Sequence, residues 1–309
     1  MPELLLPESL IAAGLSWRPL SLVDSRAVVD VVAAQERLDV GEVVIEEADV
    51  VADWQRPSYD VATRTVGVFD GEQLIACGEL SHPDRAEIAV HPDHRGRGLG
   101  TALATWSQQV ARSLGASVVG TPVPQGSPGD ALLAELGYHV RWTSWVLELP
   151  AGASVPERPL PAGYVARAAT TEEHRAVWTL NEDAFLEWSA RERESFEDWR
   201  GSTVLRPGFE PWQLRVVADP RGEVVAMALV QVGGEDRLEG WVARLATRAD
   251  QRGRGLAQAL LVDAFARARE HGATRSALST DSRTGALGLY EKVGMVVTST
   301  WLSRALTLT

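Results

Sequence analysis

The sequence predicts a chain of two homologous α/β halves, and three observations support this prediction. A glycine-rich segment at residues 95–100 (RGRGLG) recurs 157 residues later, at residues 252–257 (RGRGLA). Further residues match at the same offset, among them Gly115 with Gly272 and Gly137 with Gly294. Each copy of the segment lies between a β-like run and an amphipathic helical pattern. A collinear series of matches of this kind indicates a duplication.

Each half begins its regular pattern with a hairpin. In the first half, residues 65–69 and 74–80 are β-like apolar runs around the turn Asp70-Gly71. In the second half, residues 214–218 and 224–232 flank a turn of proline, arginine and glycine in the same way.

A strand, the glycine-rich turn and a helix follow each hairpin. The predicted strands are residues 86–90 and 242–247, and the predicted helices are residues 99–114 and 256–271. Each half then continues with a strand (117–120; 275–278), a short helix (131–136; 285–293) and a last strand (139–149; 296–308).

The boundary between the halves is expected in a segment rich in proline and glycine. Residues 150–163 (PAGASVPERPLPAG) show no hydrophobic periodicity. We therefore predict an N-terminal domain at residues 1–150, a linker at 151–162 and a C-terminal domain at 163–309.

Charge and cysteine content narrow the class of function. The 309 residues carry 30 Lys and Arg against 42 Asp and Glu, a net charge of −12. An acidic protein is repelled by phosphate backbones and anionic lipid, so we expect neither nucleic acid nor a membrane as main partner. The single cysteine, Cys77, excludes an intrachain disulfide framework and a thiolate zinc cluster. We expect Cys77 to lie in the core, and we expect no metal site.

The N-terminal residues do not read as a signal peptide. Glu3 and Glu8 stand where such a peptide carries Lys or Arg, and Pro2 and Pro7 interrupt the apolar run. No stretch approaches the ~20 apolar residues of a membrane span. We expect a cytoplasmic protein, as a monomer or a homodimer.

The glycine-rich turn has the features of a phosphate-binding site. A helix N-terminus offers unpaired N–H groups and a partial positive charge, and glycines let the backbone approach an anion. The sequence lacks the Lys-Ser/Thr pair of a P-loop, and its glycines do not follow the Rossmann spacing. The other interpretation is a plain turn with solvent-facing arginines, which the presence of two equivalent copies disfavours.

At these residues the sequence resembles the GNAT acyltransferase superfamily. Its signature, Arg/Gln-x-x-Gly-x-Gly/Ala after a strand, matches Arg95, Gly98 and Gly100 and again residues 252–257. The segment 286–295 (ALGLYEKVGM) resembles a further motif of the superfamily. The duplication extends the resemblance to nearly the whole chain. The tandem arrangement is distantly similar to that of the mycothiol synthases, although no residue singles out that enzyme.

The resemblance implies two tandem GNAT domains. Each would be a mixed, mostly antiparallel twisted sheet flanked by helices, with acetyl-CoA as co-substrate in a splayed cleft. Its pantetheine would pair with strand backbone and its pyrophosphate would lie on the turn amides. The implied cofactor-binding residues are Leu245, Ala246, Thr247, Arg252, Gly253, Arg254, Gly255, Leu256 and Ala257 in the second half, and Ile88, Ala89, Val90, Arg95, Gly96, Arg97, Gly98, Leu99, Gly100 and Thr101 in the first.

The resemblance also suggests which half is catalytic. Tyr290 stands four residues before Gly294, where the superfamily carries its proton donor to the departing thiolate. At the offset of 157 residues its counterpart is Leu133, which cannot donate a proton. Tyr290 could instead be a tyrosine that only packs on the cofactor. Glu239, near the start of the strand before the turn, is a candidate general base, although many members of the superfamily use a water chain.

The acceptor is expected against an aromatic and acidic segment. The resemblance implies that residues 178–199 form the acceptor wall. This region is dense in tryptophan, phenylalanine and acid, with Trp178, Glu182, Asp183, Phe185, Glu187 and Trp188. Carboxylates beside aromatic rings suit a cationic amine, while a solvated acidic helix face is the alternative.

We predict an acetyl-CoA-dependent N-acetyltransferase that acts on a primary amine of a small molecule by direct transfer, with the C-terminal half active. The alternatives are a non-catalytic protein that binds or senses acyl-CoA, and an acetyltransferase of protein N-termini or lysines.

Overall fold

The sheet of each half has the mixed, mostly antiparallel pattern that the sequence predicts. The computed structural model describes residues 4–234 and 236–308, so Pro2 and Glu3 lie outside the described residues. The chain divides into two compact units, unit 1 at residues 1–143 and 300–309 and unit 2 at residues 144–299. Within the described ranges no helix has the length and apolarity that a membrane span requires.

Unit 1 contains the first hairpin and the first glycine turn. Its elements in chain order are α1 (Glu8–Ala12), β1 (Ser16–Arg18), α2 (Ser25–Asp39), α3 (Glu47–Trp54), α4 (Val61–Arg64), β2 (Thr65–Asp70), β3 (Gln73–His82), β4 (Arg85–Val90), α5 (Leu99–Ser113), β5 (Val118–Pro124) and α6 (Pro128–Glu135). The strand β6 (His139–Glu148) then leads into unit 2.

Within the described residues, unit 2 repeats this order from the first strand onward, with two helices instead of three before its hairpin. Its elements are β7 (Val165–Ala168), α7 (His174–Leu186), α8 (Phe196–Ser202), β8 (Leu214–Ala218), β9 (Val224–Gly233), β10 (Glu239–Thr247), α9 (Leu256–Glu270), β11 (Arg275–Asp281) and α10 (Leu287–Lys292). The last strand is β12 (Val296–Thr307). The predicted strands and helices of both halves appear at these positions. The helices that precede each hairpin, α2 to α4 in unit 1 and α7 and α8 in unit 2, are not delimited by the hydrophobic periodicity of the sequence.

The last strand of each half completes the sheet of the other unit. In unit 1 the order is β1-β2-β3-β4-β5-β12, and Trp301 to Thr307 of β12 pair antiparallel with β5. In unit 2 the order is β7-β8-β9-β10-β11-β6, and Ser144 to Glu148 of β6 pair antiparallel with β11. Because of this exchange, the compact units do not coincide with residues 1–150 and 163–309. The sequence does not indicate the exchange, since alternation along a strand specifies its buried face but not its partner.

Helices cover both faces of each sheet. In unit 1, α5 buries Leu103 and Trp106 on one face, while α2 and α3 bury Val31 and Trp54 on the other. In unit 2, α9 buries Leu260 and Phe265 on one face, while α7 contributes to a second core on the other. Cys77 lies in the core of unit 1, as predicted.

The predicted linker is part of unit 2. Val155 is 5% exposed and lies in the same core cluster as the α9 side chains, with Leu160 packed against it. A segment without periodicity can still insert single apolar residues into a core, so the pattern of the sequence does not indicate this packing.

The parallel strand pair of each sheet separates into an open wedge. In unit 1, β4 and β5 pair only at Arg85 and Gly120. In unit 2, β10 and β11 pair as far as Val242 and Leu278, and β10 continues unpaired on this side to Thr247. A bulge in β10 follows Val242. We call these gaps the first and the second wedge, and they are the splayed clefts predicted above.

Candidate active site

Two glycine turns present unpaired backbone amides at a helix N-terminus. In the second turn (residues 252–257), Gly253 and Gly255 have φ of 75° and 82°, in the left-handed region that favours glycine. Ala259 N–H donates to Gly255 O in the first bond of α9, and the amides of residues 253–258 have no acceptor among the described residues. Gly96 and Gly98 repeat this geometry, with φ of 72° and 91°, at the start of α5.

This geometry suits a phosphate group. Successive N–H groups around left-handed glycines form a concave anion site, and the dipole of the 15-residue helix α9 adds positive potential at its N-terminus. Both turns therefore fit the pyrophosphate of a coenzyme A molecule.

The signature arginines brace the turns. The Arg252 guanidinium donates to both carboxylate oxygens of Glu187, at 2.7 and 2.6 Å, and its Nε donates to Thr247 O. Arg95 forms the same two-pronged pair with Asp39, at 2.7 Å for both bonds. Because each guanidinium already has a carboxylate partner, Arg95 holds the first turn against the C-terminal end of α2 and Arg252 holds the second turn against that of α7. The backbone amides of the turn remain open.

The strand that leads into the glycine turn, β4 in unit 1 and β10 in unit 2, has a different edge towards the wedge in the two units. In unit 2, Arg248 N–H donates to Val225 O of β9, so alternation directs the preceding Thr247 amide towards the second wedge. No group of the described residues accepts from this amide. The Thr247 hydroxyl is also buried without a hydrogen bond. An orphaned buried hydroxyl and an open amide at the end of β10 fit the polar backbone of pantetheine.

In unit 1 the equivalent amide is occupied. His91 N–H donates to Ile75 O, so the Val90 amide points towards the first wedge. There it donates to Gln35 Oε1 of α2 at 3.1 Å. At the third glycine of the first turn, a Cβ atom on Gly100 would lie 2.7 Å from Leu132, whereas the second turn has Ala257 at the equivalent position.

Tyr290 is buried in unit 2. It lies on α10, is 7% exposed and belongs to the core cluster that includes Leu256, the first residue of α9. Burial raises the pKa of Tyr290 to about 12, so the phenol keeps its proton at neutral pH. No described residue is hydrogen-bonded to its hydroxyl. Its counterpart Leu133 is equally buried on α6 and carries no proton to donate.

Glu239 lies at the opposite end of β10 from the glycine turn. It is the first residue of the strand and pairs with Arg275 of β11, where the two strands are still joined. Its side chain is 6% exposed and has a partner. The second wedge opens three residues later, a distance of roughly 10 Å along the strand. The Glu239 carboxylate is therefore too far away to contact a group in the second wedge directly, and a chain of water molecules would have to connect the two.

The carboxylates of the expected acceptor wall are all paired with arginines. Glu182 is fully buried and accepts two bonds from Arg191, both at 2.8 Å. Burial alone would raise the Glu182 pKa, but the bonds from Arg191 and the Glu194 amide outweigh it and the pKa is lowered. Asp183 pairs with Arg193. Since Glu187 is paired as well, these three carboxylates serve the structure of α7.

Aromatic side chains remain beside the mouth of the second wedge. Trp188 packs on Phe185 with ring centroids 5.2 Å apart, and the Arg283 guanidinium lies 4.8 Å from the Trp188 ring. Arg283 lies two residues after the end of β11 and pairs with Asp281, the last residue of that strand. The sequence indicates the two rings but not Arg283, because this contact is between residues 95 positions apart.

Known proteins identify the family. The Acetyltransferase (GNAT) family matches the chain twice, over residues 33–138 and 174–295. The chain belongs to this family. A mycothiol acetyltransferase of Salinispora tropica is 30% identical over 256 residues, which cover 77% of this chain and 78% of that protein.

Solved structures agree with this assignment. A GCN5-related N-acetyltransferase from Sphaerobacter thermophilus superposes with a TM-score of 0.72 at 26% identity, covering 98% of this chain and 97% of the other. A tandem GNAT protein from the clavulanic acid biosynthesis pathway has a TM-score of 0.69 at 17% identity, covering 96% and 99%. The tandem GNAT architecture is therefore confirmed, and the protein is an acyltransferase of a family that uses acyl-CoA.

Proposed function

We propose that this protein is an acetyl-CoA-dependent N-acetyltransferase that acetylates a primary amine of a small molecule by direct transfer, and that unit 2 carries the reaction. Acetyl-CoA would supply the acetyl group, held as a thioester, and coenzyme A would leave as the free thiol. The acceptor class is supported by relatives that are named mycothiol acetyltransferases.

The observation that carries the choice of unit 2 is the state of one amide. The Thr247 amide at the second wedge has no partner among the described residues, whereas the equivalent Val90 amide donates to Gln35. A pantetheine chain can bond to the open edge directly. At the first wedge it would first have to displace the Gln35 side chain.

The residues of unit 2 then have distinct roles. The amides of residues 253–258 bind phosphate, and the edge of residues 245–247 orients the pantetheine. The Tyr290 phenol, protonated at neutral pH, donates to the thiolate as the carbon–sulfur bond breaks. Glu239 takes the proton of the attacking amine through a chain of water molecules.

A panel of small primary amines, with release of free thiol as the readout, tests the proposal. Calorimetry with acetyl-CoA is run on the same preparation. Thiol release with at least one small amine, and none with peptides, is expected. Binding of acetyl-CoA without turnover of any amine would favour a sensing function, and turnover confined to peptides would favour a protein acetyltransferase.

A further inference from the structure

An arginine of the predicted linker lies directly on the second glycine turn. A Cβ atom built on Gly255 would lie 2.2 Å from Arg158 Nε and 2.5 Å from its Cδ. These distances are shorter than any van der Waals contact, so only a glycine allows the Arg158 side chain to pack here. The guanidinium is thereby placed at the N-terminus of α9, beside the unpaired amides.

The segment that carries Arg158 is held in place on both sides. Before it, Pro156 O accepts from Gln258 Nε2 at 2.7 Å, and Val155 is buried in the core of unit 2. After it, the Tyr164 hydroxyl donates to Gln251 Oε1 at 2.8 Å. Both polar contacts join the segment to residues that flank the turn. Residues 155–164, which we call the linker segment, therefore form one wall of the phosphate site.

Arg158 differs from the signature arginine in its partners. Arg252 is neutralised by Glu187, whereas the exposed Arg158 makes no hydrogen bond or ion pair within the described residues. An unpaired guanidinium next to a row of unpaired amides leaves a local excess of positive charge. This charge complements a doubly anionic group such as a pyrophosphate, with which arginine forms strong charge-assisted hydrogen bonds.

Unit 1 has a neutral side chain at the equivalent place. A Cβ atom on Gly98 would lie 3.2 Å from Pro7 Cγ. In each unit, then, the segment that precedes the first strand of the sheet covers the second glycine of the turn. Among the side chains that the structure describes, a cation lies at this place in unit 2 and not in unit 1.

We propose that Arg158 binds the pyrophosphate of the acyl donor, so that the linker segment completes the cofactor site of unit 2. This inference rests on the proposed function, which places the donor in unit 2. The amides of the turn and the Arg158 guanidinium would hold the pyrophosphate from two sides. Arg158 acts on donor binding and contacts neither the thioester nor the acceptor.

Calorimetric titration with coenzyme A and with pantetheine, which lacks every phosphate, tests the proposal. Arg158→Ala is expected to raise the Kd for coenzyme A about 10-fold or more, the effect of losing one charge-assisted contact. Arg158→Lys should fall between the two proteins, and Arg158→Glu should bind more weakly than Arg158→Ala. The Kd for pantetheine should be the same in all variants.

Arg269→Ala is the matched control. Arg269 is an exposed arginine in the last turn of α9, roughly 20 Å from the glycine turn. Arg269→Ala removes the same charge as Arg158→Ala. If both variants weakened coenzyme A binding equally, the effect would come from net charge alone, and the proposal would be overturned.

Two further outcomes would also overturn it. Equal or tighter binding of coenzyme A by Arg158→Ala would make the side chain a bystander or a plug, while leaving the proposed function intact. No binding of coenzyme A by the unmodified protein would overturn both proposals together. Equal unfolding temperatures of Arg158→Ala and the unmodified protein are expected, because Arg158 is exposed and makes no polar contact.

Discussion

The Val90 amide donates to the Gln35 side chain, whereas the equivalent Thr247 amide of the other unit has no partner among the residues that the structure describes. Residues 90 and 247 are equivalent in the duplication, so the two halves have diverged at the edge that a pantetheine chain would use. Unit 1 has filled this edge with a side chain of its own, which satisfies a backbone donor that would otherwise need water or a ligand.

Aspartate substitutions in the two glycine turns should therefore have unequal effects on donor binding. Gly253→Asp adds a negative charge where a phosphate would bind, and we expect it to raise the Kd for acetyl-CoA by about 10-fold or more. Gly96→Asp should leave binding unchanged, with one acetyl-CoA per chain in both the unmodified protein and this variant. Isothermal calorimetry measures the affinity and the stoichiometry together.

The two variants are closely matched. Both glycines have similar positive φ, and an added Cβ atom would meet no other atom within 4 Å at either position. Aspartate tolerates the left-handed region better than most residues. A stoichiometry of two, reduced to one by Gly96→Asp, would show that the first wedge also binds the donor.

Tyr290→Phe should reduce kcat and leave the affinity for acetyl-CoA nearly unchanged. Phenylalanine keeps the buried ring and loses only the hydroxyl. We expect a loss of about 10²-fold, the lower end for general acids, since the thiolate leaves easily and a phenol with a raised pKa is a weak acid. Steady-state kinetics with the best amine of the panel provide the measurement.

The pH profile gives a second readout for Tyr290. With a pKa raised to about 12, the phenol stays protonated up to pH 10, so its ionisation should cause no loss of kcat in that range. Tyr138→Phe, a buried tyrosine of unit 1, serves as the control and should turn over normally. Normal turnover by Tyr290→Phe would make Tyr290 a packing residue only.

Glu239→Gln should lower kcat/KM for the amine about 10- to 100-fold, if a carboxylate at this position accepts its proton through water. Glutamine preserves the shape of the buried side chain and can still form hydrogen bonds, and the unfolding temperature of the variant checks that it is folded. Glu270→Gln, at the exposed end of α9, is the control. Unchanged kinetics for Glu239→Gln would assign proton removal to solvent.

Glu79 should make the stability of unit 1 depend on pH. Its carboxylate accepts from Trp54 Nε1 at 2.6 Å and lies opposite Glu87 on β4. Burial, together with the nearby Glu87 charge, raises the pKa of Glu79 to about 7. The folded protein therefore holds this proton between about pH 4.5 and 7 while the unfolded chain releases it, so the contribution to stability falls as pH rises through that window.

Glu79→Gln should remove this dependence. Glutamine is uncharged and can still accept from Trp54. As the pH rises from 5 to 8, the free energy of unfolding of the variant should therefore increase by about 1–3 kcal/mol relative to that of the unmodified protein. Denaturant unfolding at both pH values measures the gain. Glu72→Gln, an exposed residue in the turn of the same hairpin, should show no gain, and an equal gain for both variants would contradict the assignment.

The duplicated sequence pattern predicts most of the secondary structure that local sequence determines. Hairpins, glycine turns and the helices that follow them lie where their patterns place them, because turn chemistry and hydrophobic periodicity act over a few residues. The positive φ of Gly96 and Gly253 is a property that the glycines themselves indicate. Tyr290 and Leu133 occupy equivalent buried places, as their spacing before Gly294 and Gly137 predicts.

Contacts between distant residues escape this kind of reasoning. The braces Asp39–Arg95 and Glu187–Arg252 recur in both units, but the two acids are 148 residues apart and the two arginines 157, so a single offset does not reveal them. Arg158 belongs to a segment without periodicity. The acids of α7 suggest a surface for a cation, yet arginines of the chain itself neutralise Glu182, Asp183 and Glu187.

The strands β6 and β12 have a bearing on how such a chain could have arisen. Each is the last strand of its repeat, and each is used by the unit of the other repeat. A single-repeat ancestor with this topology would have been an intertwined homodimer in which the two chains exchanged this strand. Gene fusion would then have turned an intermolecular exchange into an intramolecular one. Expressed separately, residues 1–150 should thus dimerise or aggregate through an uncovered edge of β5.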